Sequence, residues 1–353
     1  MVKRYFIYLT FIYLKNFLIL LGGLSIAFAV IDYFQYAKDI EDSSNLHILY
    51  IFYMWQEALS LLYPLALIFA LIMTKIGLIK TNTMGILHAF GYSAKRLFLP
   101  FLLVASVVYL ALVTLHTTEF SYAKDKAKSL LAKQYNAHAV KDLFFKYDNS
   151  FVYINSLDRI KKHITDMTIF KVNNQQILYT IHANEALYNG KSWDAKDATL
   201  RIKHYKDNNL THFNTIKVPH IVTLEGYRPK VIESLFEGKA LTIVDAFQTW
   251  RILSLQGMNS DKIRSSMYEK IVFPLFAFGM MTILFFSMPI YARFTNISRL
   301  LALTIGATFL VWGLFFGLHH LGSNSVITPE LTSILPIVLL SLYGWYLANK
   351  IRI

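Results

Sequence analysis

The chain has 353 residues, of which 55% are hydrophobic, 15% aromatic and only 16% charged, with a mean hydropathy of +0.41. A soluble domain is nearer 45–50% apolar and about 25% charged, so an ordinary water-soluble enzyme is excluded. The absence of cysteine excludes a disulfide framework, a thiolate metal site and a catalytic thiol. The net charge of +13 invites a nucleic-acid partner, but the bases gather beside apolar runs and in a central polar segment, with no recognition helix or RNA-binding signature. Membrane phosphates fit this distribution better.

In chain order, the first apolar run spans about Tyr5 to Tyr36. It far exceeds the roughly 7–15 residues of a signal-peptide core and no small-x-small cleavage site follows, so it predicts a retained span. Its outer half, "AFAVIDYFQYAKD" (27–39), carries Phe28, Asp32 and Lys38. Further spans are expected at about Leu49–Met73, Leu97–Leu115, Met267–Met288, Leu300–Leu318 and Leu331–Leu347. Lys3 and Arg4, then Lys75, Lys80, Lys95 and Arg96, then Arg293 and Arg299, then Lys350 and Arg352 all fall on one side of such a six-span chain. The other short flanks, "KDIEDSSNLH" (38–47) and "HHLGSNSVITPE" (319–330), are net acidic or lack Lys and Arg. The positive-inside rule therefore predicts cytoplasmic termini.

Between the second and third spans, "TKIGLIKTNTMGILHAFGYSAKRLFLP" (74–100) holds a short helical pattern. Asn82 or Thr83 can cap its start, Met84, Leu87 and Phe90 recur at spacing three, and Gly91 suits a left-handed end; Ser93 can cap the next helix. One reading is an interfacial helix lying on lipid. The other is a coupling helix, Thr83 through His88 to Gly91, docked in a groove of a cytoplasmic motor subunit.

The central segment 118–266 holds 22 Lys and Arg against 15 Asp and Glu, a net +7, and is expected outside the cytoplasm. Long domains do not obey the positive-inside rule, so this charge does not oppose the topology. "FVYINSLD" (151–158), "ITDMTIFKV" (164–172), "QILYTIHANEALY" (176–188) and "ATLRIKHY" (198–205) read as strands. Turn pairs separate them: Asp148-Asn149, Asn173-Asn174, Asn189-Gly190 and Asp207-Asn208-Asn209. They predict an all-β, jelly-roll-like insert joined to the membrane by helical stretches at 119–134 and 242–270.

"NGKS" (189–192) ends like a phosphate loop, but Glu185 stands where its first glycine belongs. His116 and His319-His320 lack further ligands at metal spacing, so neither a metal nor any other cofactor is expected. Asp32 and Glu57 are the acids near or within spans, where ionisable groups are functional candidates. Gly313 and Gly317 permit close helix approach, either inside this bundle or against a partner, and Phe309, Trp312, Phe315 and Phe316 would line an acyl-compatible wall.

The order of three spans, a β-rich insert and three more spans resembles the LptF/LptG permease family of lipopolysaccharide export. Ala89 and Gly91 match its coupling loop, whose acidic residue falls on Thr83 here. "YEKIVFPLFAFGMM" (268–281) is similar to its fourth-span entry, and "HHLGSNSVITPELTSILPIVLLSLYGWYLANKIR" (319–352) to its ending. "VIDYF" (30–34) looks closer to the LptG branch. The resemblance implies an α-helical inner-membrane protein of six transmembrane helices with an inserted periplasmic β domain, divided at about 1–117, 118–266 and 267–353. It implies a non-catalytic subunit of an ABC transporter extracting lipopolysaccharide. Its partners would be a cytoplasmic ATPase dimer (LptB-like), a homologous permease (LptF-like) and a periplasmic bridge (LptA/LptC-like). Phe28, Asp32, Lys38, Phe309, Trp312, Gly313, Phe316 and Gly317 would then belong to a lipid gate. Two rivals are a force-transmitting permease of the MacB/FtsX kind, which usually has four spans, and a membrane-anchored periplasmic enzyme.

Overall fold

The structure is a computed structural model that describes residues 4–41, 43–132, 139–147, 150–158, 161–173, 176–206, 209–229, 231–232, 241–255, 257, 259–291 and 296–350. It divides into two units, Met1–Ala127 with Ser260–Ile353, and Lys128–Asn259.

The first unit is helical. Among the described residues, six of its elements are long and apolar enough to cross a membrane. They are α1 (Arg4–Tyr36), α2 (Ser44–Lys80), α4 (Ala94–Leu115), the fourth span built from α7 (Asp261–Ile271) and α8 (Phe276–Ser287), α9 (Ile297–Ser323), and the sixth span ending in α10 (Leu335–Lys350). The short α3 (Thr83–Ala89) joins α2 to α4, and α5 (Ala123–Leu131) follows α4 in the chain. Pro274 sits in a 3-10 turn that interrupts the fourth span between α7 and α8, because proline lacks the N–H that would continue the ladder. At 1.5 Å per residue, 33-residue α1 is about 50 Å long, well beyond a hydrocarbon core of roughly 30 Å.

α2 is the hub. From Tyr63 to Ile72 it is buried at every position except Phe69, the mark of a helix apolar on all sides and packed on all sides. Tyr13 of α1 donates to the Leu67 carbonyl at 3.0 Å, and Asn16 donates to the Thr74 hydroxyl at 2.8 Å. Lys75 is buried as well. Its ammonium donates to the carbonyls of Phe285 and, at 2.9 Å, Met288, and lies 4.5 Å over the Phe285 ring. A lysine expected among the surface bases thus caps the end of α8.

The second unit carries β1 (Ala139–Tyr147), β2 (Ser150–Asp158), β3 (His163–Asn173), β4 (Gln176–Tyr188), β5 (Trp193–Lys206) and β6 (Asn209–Thr223), followed by α6 (Ile243–Leu255). The insert is all-β as expected. Its described strands form one antiparallel sheet in sequence order, without Greek-key crossovers. Every consecutive pair is joined by a short connection, which forces chain neighbours to be sheet neighbours. Asn189-Gly190 makes the β4–β5 turn: the Asn189 side chain accepts from the Lys191 and Ser192 amides, and Gly190 has φ +99°. The other expected turns fall wholly or partly outside the described residues. Trp193, fully buried, donates from its indole to the Tyr227 carbonyl at 2.7 Å and anchors a core with Leu143, Val152, Ile154, Met167 and Ile169.

One row crosses the whole sheet. Asp142, Asp166 and Asp197 all take φ near +50°, on β1, β3 and β5. The pairing skips at this level between every adjacent pair: Lys141↔Ser156 gives way to Leu143↔Ile154, and Lys196↔His220 to Ala198↔Val218. Inward residues are then spaced by three rather than two, as in Ile154/Leu157, Ile164/Met167, Ala183/Ala186 and Ala195/Ala198, all fully buried. A one-residue slip in a single strand would turn its apolar side chains outward. Here the register is unchanged and every strand shifts its alternation at the same level, so the same face stays inside.

Candidate functional site

α3 is bracketed by backbone geometry. Asn82 adopts φ +56° and makes no side-chain cap, and Ser93 also caps only through its carbonyl, which accepts from Leu97. The expected side-chain caps are therefore replaced by backbone bonds. At the other end the Gly91 amide donates to the His88 carbonyl and the Tyr92 amide to the Leu87 carbonyl, with Gly91 at φ +82°. These are the two bonds of a Schellman terminator, which requires a left-handed residue where glycine has no steric penalty. Tyr92 then packs at 4.2 Å, ring to ring, on Tyr5 of α1.

The expected anchor row splits. Met84 is 1% exposed and Leu87 half-buried, both packed into the helical core. Gly85 is buried under Tyr291: a Cβ there would stand 2.6 Å from the ring. A two-residue joint to α2, Thr81-Asn82, turns this face of α3 onto its own bundle, so Met84 and Leu87 hold the element in place. The apolar side chains left outward are Ile86, 52% exposed, and Phe90, 76% exposed. Thr83 hydrogen-bonds Thr81 at 2.8 Å. The half-buried His88 leaves Nε2 without a partner, and burial, with Lys75 nearby, lowers its pKa. Lys80, Lys95 and Arg96 surround the element in solvent.

α9 buries Thr304, Thr308, Phe315 and His319 and turns Phe309, Gly313 and Gly317 outward. A Cβ at Gly306, Gly313 or Gly317 would meet nothing within 4 Å, so these glycines do not serve packing inside this bundle. Trp312 and Phe316 stack at 5.6 Å, half-buried, and Phe309 packs on Phe69 of α2 at 5.3 Å. On α1, Phe28 is half-buried, Asp32 accepts from the Tyr50 hydroxyl at 2.5 Å, and Lys38 is exposed in the 3-10 turn Ala37–Asp39.

Polar groups meet at the opposite ends of the spans from α3. Glu57 pairs with Lys124 at 3.7 Å, and Arg264 with Glu330 at 2.5 Å and with Asp261. His319 lies 3.8 Å from Glu269 and 3.4 Å from the Ser333 hydroxyl. His116 is held between Ser60 at 2.8 Å and Ser121 at 3.1 Å, and burial pushes its pKa down to about 4, so the ring is neutral near pH 7. His116 and His319 thus have polar partners, His320 packs its ring on Phe316 at 4.7 Å, and no group of three His, Asp or Glu suited to a metal occurs among the described residues.

The family model described as lipopolysaccharide export system permease LptF/LptG matches residues 7–350, and does not separate the two branches. No curated protein matches the chain.

Proposed function

The chain belongs to the LptF/LptG family of lipopolysaccharide export system permeases, and from that membership we propose that it is the membrane half of an ATP-driven lipopolysaccharide extractor. In this reading both termini and α3 face the cytoplasm and the β unit lies in the periplasm. The exposure of Ile86 and Phe90 on an otherwise embedded α3 supports it most directly. A knob that transmits force must present side chains to the motor while its other side is fixed to the spans. Met84, Leu87 and the Gly85–Tyr291 contact supply that fixed side.

The open glycine face of α9 and the outward side of α1 suit a second, homologous permease, with the seam parting to admit lipid. Each methylene lifted from the bilayer costs roughly 0.8 kcal/mol when exposed to water, so export of a many-chained lipid needs both a driven step and a continuous apolar path. The β unit, with its apolar face turned inward, is the natural receiver and hands the lipid to a periplasmic bridge. Six spans speak against the four-span force transmitters.

The test uses the chain's lack of cysteine. A single Cys at position 90 is expected to react with a membrane-impermeant thiol reagent only from the cytoplasmic side, and Phe90→Asp to abolish co-purification of an ATPase while leaving the protein inserted. Labelling from outside, or an undiminished ATPase yield, refutes the reading.

A further inference from the structure

A groove of about 430 Å³ opens between α4, α8 and α10, wholly inside the helical unit. Its origin lies in small residues. Gly279 and Gly344 let α8 and α10 touch so closely that a Cβ on Gly344 would stand 3.2 Å from the Gly279 carbonyl. One turn on, Ala348 leaves the gap beyond them unfilled, and Leu99 and Leu102 of α4 wall the other side without closing it. The floor is apolar along Phe278 and Phe286. From Lys95 to Leu102 the trough runs about 10 Å along α4, two turns of helix.

Its mouth has a different chemistry. The Lys95 ammonium donates to the Asn349 side-chain oxygen at 2.6 Å, bridging α4 and α10. Arg96 and Lys350 are exposed beside this pair, and neither 93–100 nor 341–350 contains an acid. Among the described residues Lys95 therefore meets an amide where a surface lysine would usually find a carboxylate. The Asn349 side chain also carries an amide NH2, a second donor at this mouth. Trp345 and Tyr346, exposed near this end, are the residue types that settle at the headgroup level of a bilayer.

An apolar trough two turns long, lined at its mouth by Lys95 and Asn349 with no acid in its lining and with Arg96 and Lys350 exposed next to them in the chain, fits one occupant. We propose that this groove binds an anionic glycerophospholipid, one acyl chain along Leu102 and Phe278 and the phosphate between Lys95 and Asn349. Basic pockets between spans recognise acidic headgroups by this combination. The leaflet, cytoplasmic, rests on the topology proposed above; the site itself does not. Because α4 starts just past the Gly91 terminator, the lipid would brace the foot of α4 next to α3.

Native mass spectrometry of the full chain in detergent tests this, with phosphatidylglycerol and phosphatidylcholine of matched acyl chains. Wild type is expected to retain phosphatidylglycerol at least tenfold over phosphatidylcholine. Lys95→Glu, at an exposed position, lowers phosphatidylglycerol retention about tenfold and leaves phosphatidylcholine unchanged; Ala348→Trp, which fills the trough, lowers both. Equal retention of the two lipids by wild type overturns the proposal. So does unchanged phosphatidylglycerol retention in Lys95→Glu, or displacement of the lipid by equimolar inorganic phosphate. Retention in detergent is independent of sidedness, so labelling a Cys at position 350 from either face judges the topology separately.

Discussion

Trp193→Phe probes how the β unit is held together. Trp193 is fully buried, and its indole N–H satisfies the Tyr227 carbonyl at 2.7 Å while its ring packs 5.3 Å from Tyr188. Phenylalanine keeps an aromatic ring but removes this donor from the buried Tyr227 carbonyl, at a cost of about 1–3 kcal/mol. The lost ring volume adds a cavity term of about 1–2 kcal/mol, since a core closes only in part around a deletion. The total, about 2–5 kcal/mol, corresponds to a factor of roughly 30 or more in the local opening equilibrium. Hydrogen–deuterium exchange on the full chain reads it directly: β4 and β5 amides are expected to exchange at least 30-fold faster, with α2 and α8 unchanged. Exchange in β5 within threefold of wild type would refute the claim that this one indole pins the stretch around Tyr227 to the sheet.

Met84→Ala and Phe90→Ala separate support from contact on α3. The buried Met84 is expected to cost about 2–5 kcal/mol of stability, seen as a lower melting temperature, whereas exposed Phe90→Ala leaves melting unchanged and weakens ATPase binding at least tenfold in a pull-down titration. His116 sets a pH dependence. Burial lowers its pKa from the ordinary 6.5 to about 4, so the stability it contributes is complete above pH 6.5 and is lost as pH falls towards 4. At about 1.4 kcal/mol per pH unit the loss reaches about 3 kcal/mol. Melting scans from pH 7 to 4.5 should fall more steeply for wild type than for His116→Asn, and parallel curves would contradict this. At Asp197, φ +48°, Asp197→Val is expected to destabilise the sheet by about 1–2 kcal/mol while Asp197→Gly does not; equal melting temperatures for the two would show that the left-handed backbone carries no strain.

The six spans, the β insert and the family were legible in the sequence because each is written in local composition: long uncharged runs, alternating strands, and bases on one set of loops. The Gly91 terminator and the Asn189-Gly190 turn were legible for the same reason, since backbone handedness selects glycine within a few residues. β1 and β6 escaped notice. β6 reads poorly as a strand because Pro219 interrupts it, and it is tolerated because it lies at the sheet edge, at the level where pairing skips.

Only tertiary structure decided which side of each helix faces which neighbour. Met84, Leu87 and Phe90 share a spacing, yet a two-residue joint to α2 turns the first two inward and leaves Ile86 and Phe90 exposed. Lys75 looks like its basic neighbours in the sequence and is buried because the carbonyls ending α8 lie within its reach. The row of left-handed aspartates has no local signature, since each is meaningful only against the strands beside it. Periodicity and composition are properties of consecutive residues, and the chain specifies them directly. Facing and contact belong to pairs far apart in sequence, such as Lys95 and Asn349, and exist only once the helices have packed.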